Sequence, residues 1–210
     1  MLEFNTHAGN VRLIGGRLCL DFVNTVDCHY CAEPKEYLVD YPALVIWAQH
    51  AGLLCDEAAD RLLHEAERRP SEAGTALEHA KRLRHALYRI FTDPAGSRAD
   101  MPEQIGTLNR ALAETADGLE IRRTPAGYAW GGKPSRLDQL LGPLAWSAAE
   151  LLASADLNLV HECEGERCSW LFLDTSRNHS RRWCSMVDCG NRAKARRYYA
   201  QRRVASTARL

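Results

Sequence analysis

The sequence predicts an α+β protein with a mainly helical N-terminal domain, which includes one small β-hairpin, and a small C-terminal module held together by a metal ion. Three observations support this. Apolar residues recur at helical spacing over much of residues 41–155. The turn residues 124–127 separate two short strand-like segments. Four cysteines form two identical brackets, Cys163-x4-Cys168 and Cys184-x4-Cys189.

The helical domain is expected to span residues 1–155, and the metal module residues 156–210, with the boundary at the turn 156–158. A chain of 210 residues has room for one such domain and a small appendage. No apolar stretch is long enough to cross a membrane, and the N-terminus lacks the basic and apolar regions of a secretory signal. We therefore expect a cytoplasmic protein without membrane contact.

The net charge of zero conceals a strong asymmetry. Residues 177–210 contain ten Arg or Lys residues and one acidic residue, Asp188, whereas residues 1–176 contain 17 basic and 26 acidic residues. A chain polarised in this way is expected to use its two ends for different purposes. The basic end suits a polyanionic partner, and the acidic remainder discourages nonspecific adsorption of the whole protein.

Periodicity, caps and breakers predict the individual elements of the helical domain. A spacing of four between Leu18, Phe22 and Val26 favours a short helix, and residues 27–40 read as a loop. Asp56 is expected to cap one helix, and Pro143 to kink another. Helices are predicted at about 41–51, 56–69, 71–92, 102–116 and 137–155, with a turn-rich gap at 94–100, a hairpin of 119–123 with 128–130, and short strands at 157–162 and 170–173.

The two cysteine brackets predict one structural zinc ion. Zinc in structural sites takes four ligands in a tetrahedron, and four thiolates close the site against water and hence against hydrolysis. The fifteen residues between Cys168 and Cys184 can form a hairpin that turns one bracket to face the other. The alternative is four reduced thiols without metal, but so short a segment with few large apolar residues can hardly build its own core. His161 and His179 are interpreted as ordinary histidines, because four thiolates saturate the ion.

The other four cysteines receive no functional assignment. Cys19 and Cys55 lie in apolar patterns and are interpreted as buried thiols. Cys28-His29-Tyr30-Cys31 resembles a redox pair or half of a metal site, but it lies in a predicted loop without a second bracket. We therefore interpret this spacing as chance.

A basic helix is predicted immediately after the last cysteine. Residues 191–204 contain no Gly or Pro. Arginine pairs with phosphate or a guanine edge, and tyrosine stacks or donates a hydrogen bond. A solvated charged face is the alternative. The candidate nucleic-acid contacts are Arg192, Lys194, Arg196, Arg197, Tyr199 and Arg203, of which 192, 196, 199 and 203 share one helical face.

The C-terminal residues resemble the CGNR zinc-finger family. The resemblance lies in the two brackets, in Trp170-Leu-Phe-Leu-Asp174, in Arg181-Arg-Trp-Cys184, and in Cys189-Gly-Asn-Arg192. The segment 18–25, Leu-Cys-Leu-Asp-Phe-Val-Asn-Thr, resembles the signature of the ABATE domain that precedes this finger in bacterial proteins. The resemblance implies a stress-induced transcription regulator or a ribbon-like RNA-binding protein, with the four cysteines as zinc ligands.

Several residues near the finger admit both a structural and a functional interpretation. Asn191 either caps or satisfies the metal site or contacts nucleic acid, and Arg192 either braces the site or contacts phosphate. Trp170, Phe172 and Trp183 form the small core of the module or stack on bases. The structural interpretation is favoured for Asn191 and for the three aromatic residues.

Asp21, Asn24 and Thr25 are polar residues within an apolar helical stretch. Because buried polar groups require partners, they either fix the helix against loop backbone or line a pocket for a small-molecule effector.

We predict a DNA-binding transcriptional regulator. RNA binding and a zinc-stabilised protein-interaction adaptor are the alternatives. An enzyme is not expected, because the sequence contains no phosphate-binding loop, dinucleotide fingerprint or nucleophile elbow.

Overall fold

A computed structural model describes residues 6–93, 101–116, 120–125, 127–131 and 136–207. Its helices are α1 (Leu18–Val23), α2 (Tyr41–His50), α3 (Asp56–Arg68), α4 (Pro70–Phe91), α5 (Pro102–Ala116), α6 (Leu141–Leu152) and α7 (Asn191–Thr207). Its strands are β1 (Val26–Asp27), β2 (Lys35–Glu36), β3 (Glu120–Thr124), β4 (Gly127–Gly131), β5 (Val160–Glu162) and β6 (Leu171–Leu173). None of the helices, over the residues described, has the length and apolar character that a membrane crossing requires.

The predicted α+β class is confirmed: helices dominate, and each pair of strands forms a separate antiparallel hairpin, β1–β2, β3–β4 and β5–β6. The β3–β4 hairpin lies where the turn residues predicted it, with Ile121 opposite Trp130. The predicted gap at 94–100 lies outside the described residues.

Local sequence signals account for the ends of α2, α3 and α4. The Asp40 side chain accepts a hydrogen bond from the backbone N–H of Ala43 at 2.7 Å, which caps α2. The prediction that Asp56 caps α3 is wrong: Cys55 holds the cap position, and Asp56 is the first helical residue. At this position the negative charge of Asp56 still stabilises the helix, because it lies at the positive end of the helix dipole. Only Arg69 separates α3 from α4, because Pro70 occupies the first position of α4, where no intrahelical N–H bond is lost.

Two further boundaries differ from prediction. The first helix ends at Val23, and Val26 belongs to β1, which pairs with β2 inside the segment predicted as loop. Helix α6 begins at Leu141 and not at residue 137, so Pro143 lies in its first turn and not at an interior kink. A proline is tolerated there because the N–H that it lacks has no helical partner in any case.

The C-terminal module consists of a short 3₁₀ helix (Ala155–Leu159), the β5–β6 hairpin, a π turn (Met186–Gly190) and α7. The hairpin encloses the first bracket between its strands. The strands predicted on either side of this bracket are therefore confirmed. The hairpin considered possible between the two brackets is not found, because only Leu171–Leu173 of the described residues 169–183 are in a strand. After Leu173 the chain returns toward the first bracket without regular structure, and this brings the second bracket close to the first.

A single apolar core runs from the helical domain into the module. It includes Phe22, Trp47 and Phe91 from the helices and Leu171 and Phe172 from β6. Backbone bonds also cross between the two parts, as from the N–H of Leu173 to the carbonyl of Gly15 at 2.8 Å. The module therefore draws on the core of the helical domain in addition to its own metal site.

Candidate metal centre and basic helix

The four predicted zinc ligands converge at one buried point. Cys163 follows β5, and Cys168 shortly precedes β6. Cys184 lies just before the π turn, and Cys189 lies within it. All four side chains are buried, and their sulfur atoms lie within 4.8 Å of one another. In the described part of the chain, neither His161 nor His179 belongs to a metal-binding group.

The sulfur geometry fits a tetrahedral zinc ion. A Zn–S bond of ~2.3 Å implies a separation of about 3.8 Å between neighbouring sulfurs at a tetrahedral site. The Sγ atoms of Cys168 and Cys184 lie 3.8 Å apart, and those of Cys184 and Cys189 lie 3.7 Å apart. The four buried cysteines are thus positioned to bind one structural Zn²⁺.

Hydrogen bonds from the protein point toward the sulfur atoms. The backbone N–H of Cys184 donates to Cys163 Sγ at 3.2 Å, and that of Gly165 donates to the same sulfur at 3.4 Å. Arg192 Nη2 donates to Cys189 Sγ at 3.1 Å. Because a zinc ion with four thiolates carries a net negative charge, these donors stabilise the loaded site. The contact from Arg192 corresponds to the bracing role that the sequence left open for this residue.

The four sulfur atoms lie close enough to shift the pKa of one another. Hydrogen bonding to Cys163 raises the pKa of both Cys168 and Cys184. Hydrogen bonding with the other three sulfurs lowers the pKa of Cys189, and Cys163 has the largest of these effects. Hydrogen bonding with Cys168 lowers the pKa of Cys163 to about 7. A divalent cation binds the deprotonated sulfurs and so favours the thiolate form of all four cysteines.

Gly165 lets the backbone of the first bracket lie close to the sulfur atoms. This role was not identified from the sequence. A Cβ atom at this position would lie 2.8 Å from Cys189 Sγ and 3.2 Å from Cys168 Cβ. Glycine therefore allows the backbone to approach the sulfur cluster, which a side chain would prevent. The sign of this role in the sequence was the position of the glycine between two predicted zinc ligands.

Asp174 and Arg181, which belong to the segments that resemble the family motif, hold the connection between the brackets. The buried Asp174 carboxylate accepts hydrogen bonds from the backbone N–H groups of Ser176 at 2.9 Å and Arg181 at 2.8 Å. The Arg181 guanidinium lies 4.2 Å from the centre of the Phe172 ring and donates to the carbonyl of Trp183 at 2.9 Å. Trp170 and Phe172 are buried and Trp183 is partly buried, in keeping with the core role predicted for these aromatic residues.

Helix α7 extends from the metal site with two unlike faces. On the inner face, Arg192 contacts Cys189, and Arg196 forms an ion pair with Glu166 at 2.5 Å. Both arginines that begin the face predicted from the sequence thus contact the finger itself. Tyr199 is 65% exposed, and the Arg203 side chain lies outside the described part.

The outer face of α7, defined here as Lys194, Arg197 and Tyr198, points away from these contacts. Lys194 and Arg197 are exposed, and no hydrogen bond or ion pair involves either of them within the described residues. Tyr198 is 54% exposed and accepts a hydrogen bond from Arg202 at 3.3 Å. Lys194 and Arg197 are among the nucleic-acid contacts predicted from the sequence.

The polar residues Asp21, Asn24 and Thr25 all bond to the protein itself. Asp21 accepts from the backbone N–H of Gly15 at 2.7 Å. Thr25 donates to the carbonyl of Phe22 at 2.7 Å and accepts from Arg84, which pairs with Glu36. These contacts correspond to the structural alternative for the three side chains, and their effector-binding role stays a prediction.

Asn24 links the helical domain to the finger. Its side-chain amide donates to the carbonyl of Leu171 at 2.8 Å and accepts from the N–H of the same residue at 2.7 Å. Both residues are fully buried. The side chain thus extends the hydrogen bonding of β6 as a third strand would.

We expect Asn24→Ala to destabilise the protein by about 2–6 kcal/mol, because each buried polar group left without a partner costs about 1–3 kcal/mol. Chemical denaturation followed by circular dichroism measures this loss. Asn109→Ala, on the exposed surface of α5, is the control and should change stability by less than about 0.5 kcal/mol. Equal stability of the two variants would contradict the bridging role of Asn24.

We expect Asp21→Asn to make the protein less sensitive to pH. Burial raises the pKa of Asp21 to about 6 from an ordinary value of 3.8. The unfolded carboxyl ionises before the folded one as pH rises, so the wild type loses stability between about pH 4 and 6, by about 3 kcal/mol at most. The variant should therefore gain stability over the wild type above pH 6 and lose that advantage below pH 4. Denaturation midpoints measured from pH 4 to 8 test this, with the exposed Asp60→Asn as the control. A constant difference across that range would contradict the prediction.

Three of the four other cysteines differ from their interpretation. Cys19 is buried as predicted, but Cys55 is exposed at the start of α3, so its interpretation as a buried thiol is wrong. Cys28 and Cys31 form a disulfide, so their spacing is not chance. The signal was the Cys-x-x-Cys spacing itself, which was set aside because the segment was predicted as a loop without a second bracket. The strand β1, which precedes Cys28, has only two residues.

The fold and the site define a zinc-finger protein with an N-terminal helical domain. A family model described as "ABATE: Putative stress-induced transcription regulator" matches residues 16–155, and a model described as "CGNR zinc finger" matches residues 160–202. The chain belongs to the ABATE family and carries a C-terminal CGNR zinc finger, which confirms the resemblance. These are regulator and zinc-finger families and not enzyme families. No curated protein matches the chain.

Proposed function

We propose that this protein regulates transcription by binding DNA through α7. One observation carries the proposal: a helix with six Arg or Lys residues and no acidic residue begins directly at the buried metal site and leaves Lys194 and Arg197 exposed and unpaired within the described residues. The family description as a transcription regulator supports the same function.

The metal site gives this helix a defined direction. Because Arg192 contacts a zinc ligand and Arg196 pairs with Glu166, the inner face of α7 is held against the finger. The outer face then presents its cations to solvent on the opposite side of the helix. Lysine and arginine on such a surface neutralise backbone phosphates, and Tyr198 and Tyr199 supply further phosphate or base contacts.

Salt dependence of binding to a short DNA duplex tests the proposal. Contact with four to six phosphates predicts a slope of roughly −3.6 to −5.4 in a plot of log affinity against log salt concentration. Lys194→Glu combined with Arg197→Glu should weaken binding and reduce the magnitude of the slope by about 2, with one zinc retained. Arg61→Glu with Arg82→Glu, both exposed on the helical domain, makes the same change in net charge and should leave the slope unaltered.

Two other outcomes identify the alternatives. Strong, salt-dependent binding to structured RNA, together with weak binding to the DNA duplex, would identify RNA and not DNA as the partner. Absence of binding to either nucleic acid would favour a zinc-stabilised adaptor whose arginines meet an acidic protein. Arg196→Glu is informative beside these tests, because loss of the Glu166 pair should disturb the finger as well as the charge of the helix.

A small-molecule effector of the helical domain stays part of the proposal, with Asp21, Asn24 and Thr25 as its predicted contacts. A thermal-shift screen of metabolites tests it, and stabilisation that is lost in Thr25→Val would support this location.

A further inference from the structure

The disulfide between Cys28 and Cys31 closes a four-residue loop that lies against the zinc site. Cys28 is 3% exposed, and Cys31 is partly exposed on the same turn. The Cα atoms of the two residues are 5.3 Å apart, so the thiols meet without movement of the backbone. Cys28 also has a φ of 56°, in the left-handed region that residues other than glycine rarely adopt.

The loop contacts the residues on both sides of the first bracket. The backbone N–H of His29 donates to Ser169 Oγ at 2.7 Å, and Ser169 directly follows the ligand Cys168. The His29 ring stacks on Tyr88 at 3.9 Å, and the Tyr88 hydroxyl donates to Glu162 at 2.9 Å, directly before the ligand Cys163. The Tyr30 hydroxyl also donates to the carbonyl of Cys168 at 3.4 Å.

We propose that Cys28 and Cys31 form a reversible dithiol–disulfide site whose oxidation state controls how firmly the first bracket holds zinc. The disulfide keeps Cys28 in its left-handed conformation and thereby keeps the His29 N–H on Ser169. In the dithiol form the backbone is free to leave that conformation, and the support of the bracket weakens. This inference concerns the metal site and does not depend on DNA binding.

The oxidant is a small-molecule disulfide such as glutathione disulfide. The more exposed Cys31 thiolate attacks one sulfur of that disulfide, which forms a mixed disulfide and releases one glutathione thiolate. The Cys28 thiolate then attacks the Cys31 sulfur and releases the second. Two protein thiols are oxidised, one glutathione disulfide is reduced to two thiols, and the protons of the cysteines pass to the released thiolates.

Zinc transfer to a metallochromic chelator tests the proposal on the full-length, zinc-loaded protein. The protein is equilibrated at a series of glutathione redox ratios, and alkylation with mass spectrometry reports the state of the peptide containing Cys28 and Cys31. We expect the pair to convert reversibly between disulfide and dithiol. We also expect zinc to leave the disulfide form at least about fivefold more slowly than the dithiol form, a factor at the lower end of the coupling usually found between two sites. Ser169→Ala should bring the two rates closer together, because it removes the hydrogen bond from His29 that joins the loop to the residue after Cys168.

Control variants separate this site from the zinc ligands. Cys28→Ala with Cys31→Ala should lose zinc at the rate of the dithiol form at every redox ratio, and the exposed Cys55→Ser should behave like the wild type. A pair that stays in the dithiol form at every ratio would overturn the proposal. So would rates within twofold of each other in the two wild-type states, or a redox response that persists in the Cys28→Ala, Cys31→Ala variant.

Discussion

Replacing Cys184 by alanine is expected to abolish stoichiometric zinc binding and to unfold the C-terminal module. Cys184 Sγ lies 3.8 Å from one of its partner sulfurs and 3.7 Å from another, so its loss opens the tetrahedron. Structural zinc contributes about 10–16 kcal/mol in isolated finger peptides, which equals or exceeds the whole stability of many domains. Even a fraction of that loss exceeds what the short β5–β6 hairpin can offset.

Metal analysis of the purified variant and amide hydrogen exchange over residues 160–190 measure this effect. Cys55→Ala is the matched control, because it removes an exposed cysteine that lies outside the metal cluster. Chelation of zinc from the wild type should reproduce the effect of Cys184→Ala. A variant that keeps one zinc ion, or a module that stays protected from exchange without zinc, would contradict the assignment of Cys184 as a ligand.

Replacing Phe172 by alanine is expected to destabilise the helical domain and the finger together, by about 3–5 kcal/mol. Phe172 is fully buried in β6, within a core that continues into the helical domain, and Arg181 covers its ring. The cavity left by the ring therefore lies within packing that both parts share. Denaturation followed both by helical circular dichroism and by zinc release should show one transition, shifted equally in the two signals.

Tyr128→Ala is the control for the loss of an aromatic ring, because Tyr128 is 77% exposed in β4 and its removal should alter stability by less than about 0.5 kcal/mol. A shift of zinc release without any shift of the helical transition would show that the finger unfolds independently.

Local patterns in the sequence were sufficient for the elements whose signals lie in neighbouring residues. The limits of α2 and α5 and the β3–β4 hairpin follow from periodicity, proline and turn residues. The four cysteines of the metal site were also recognised from spacing, because a tetrahedral ion requires four ligands and two cysteine brackets supply that number.

Predictions failed where a residue's role depends on distant contacts. Cys55 was interpreted as buried from its apolar neighbours, yet it lies exposed at the start of a surface helix. Cys28 and Cys31 were set aside because their segment was predicted as a loop without a second bracket. The two-residue strand β1 that precedes them is defined only by its pairing with β2. Pro143 was expected to kink a helix whose true start could only be located from its packing.

The sequence by itself determined that this protein binds one metal through four cysteines, that a basic helix follows the last of them, and that a helical domain precedes them. Each of these depends on spacing or composition along a short stretch of chain. Only the tertiary structure decided which face of α7 contacts the finger and which is free, and that Asn24 joins the two parts through Leu171. Such facts depend on pairs of residues far apart in the chain, and a helical repeat specifies which residues share a face but not what that face will meet.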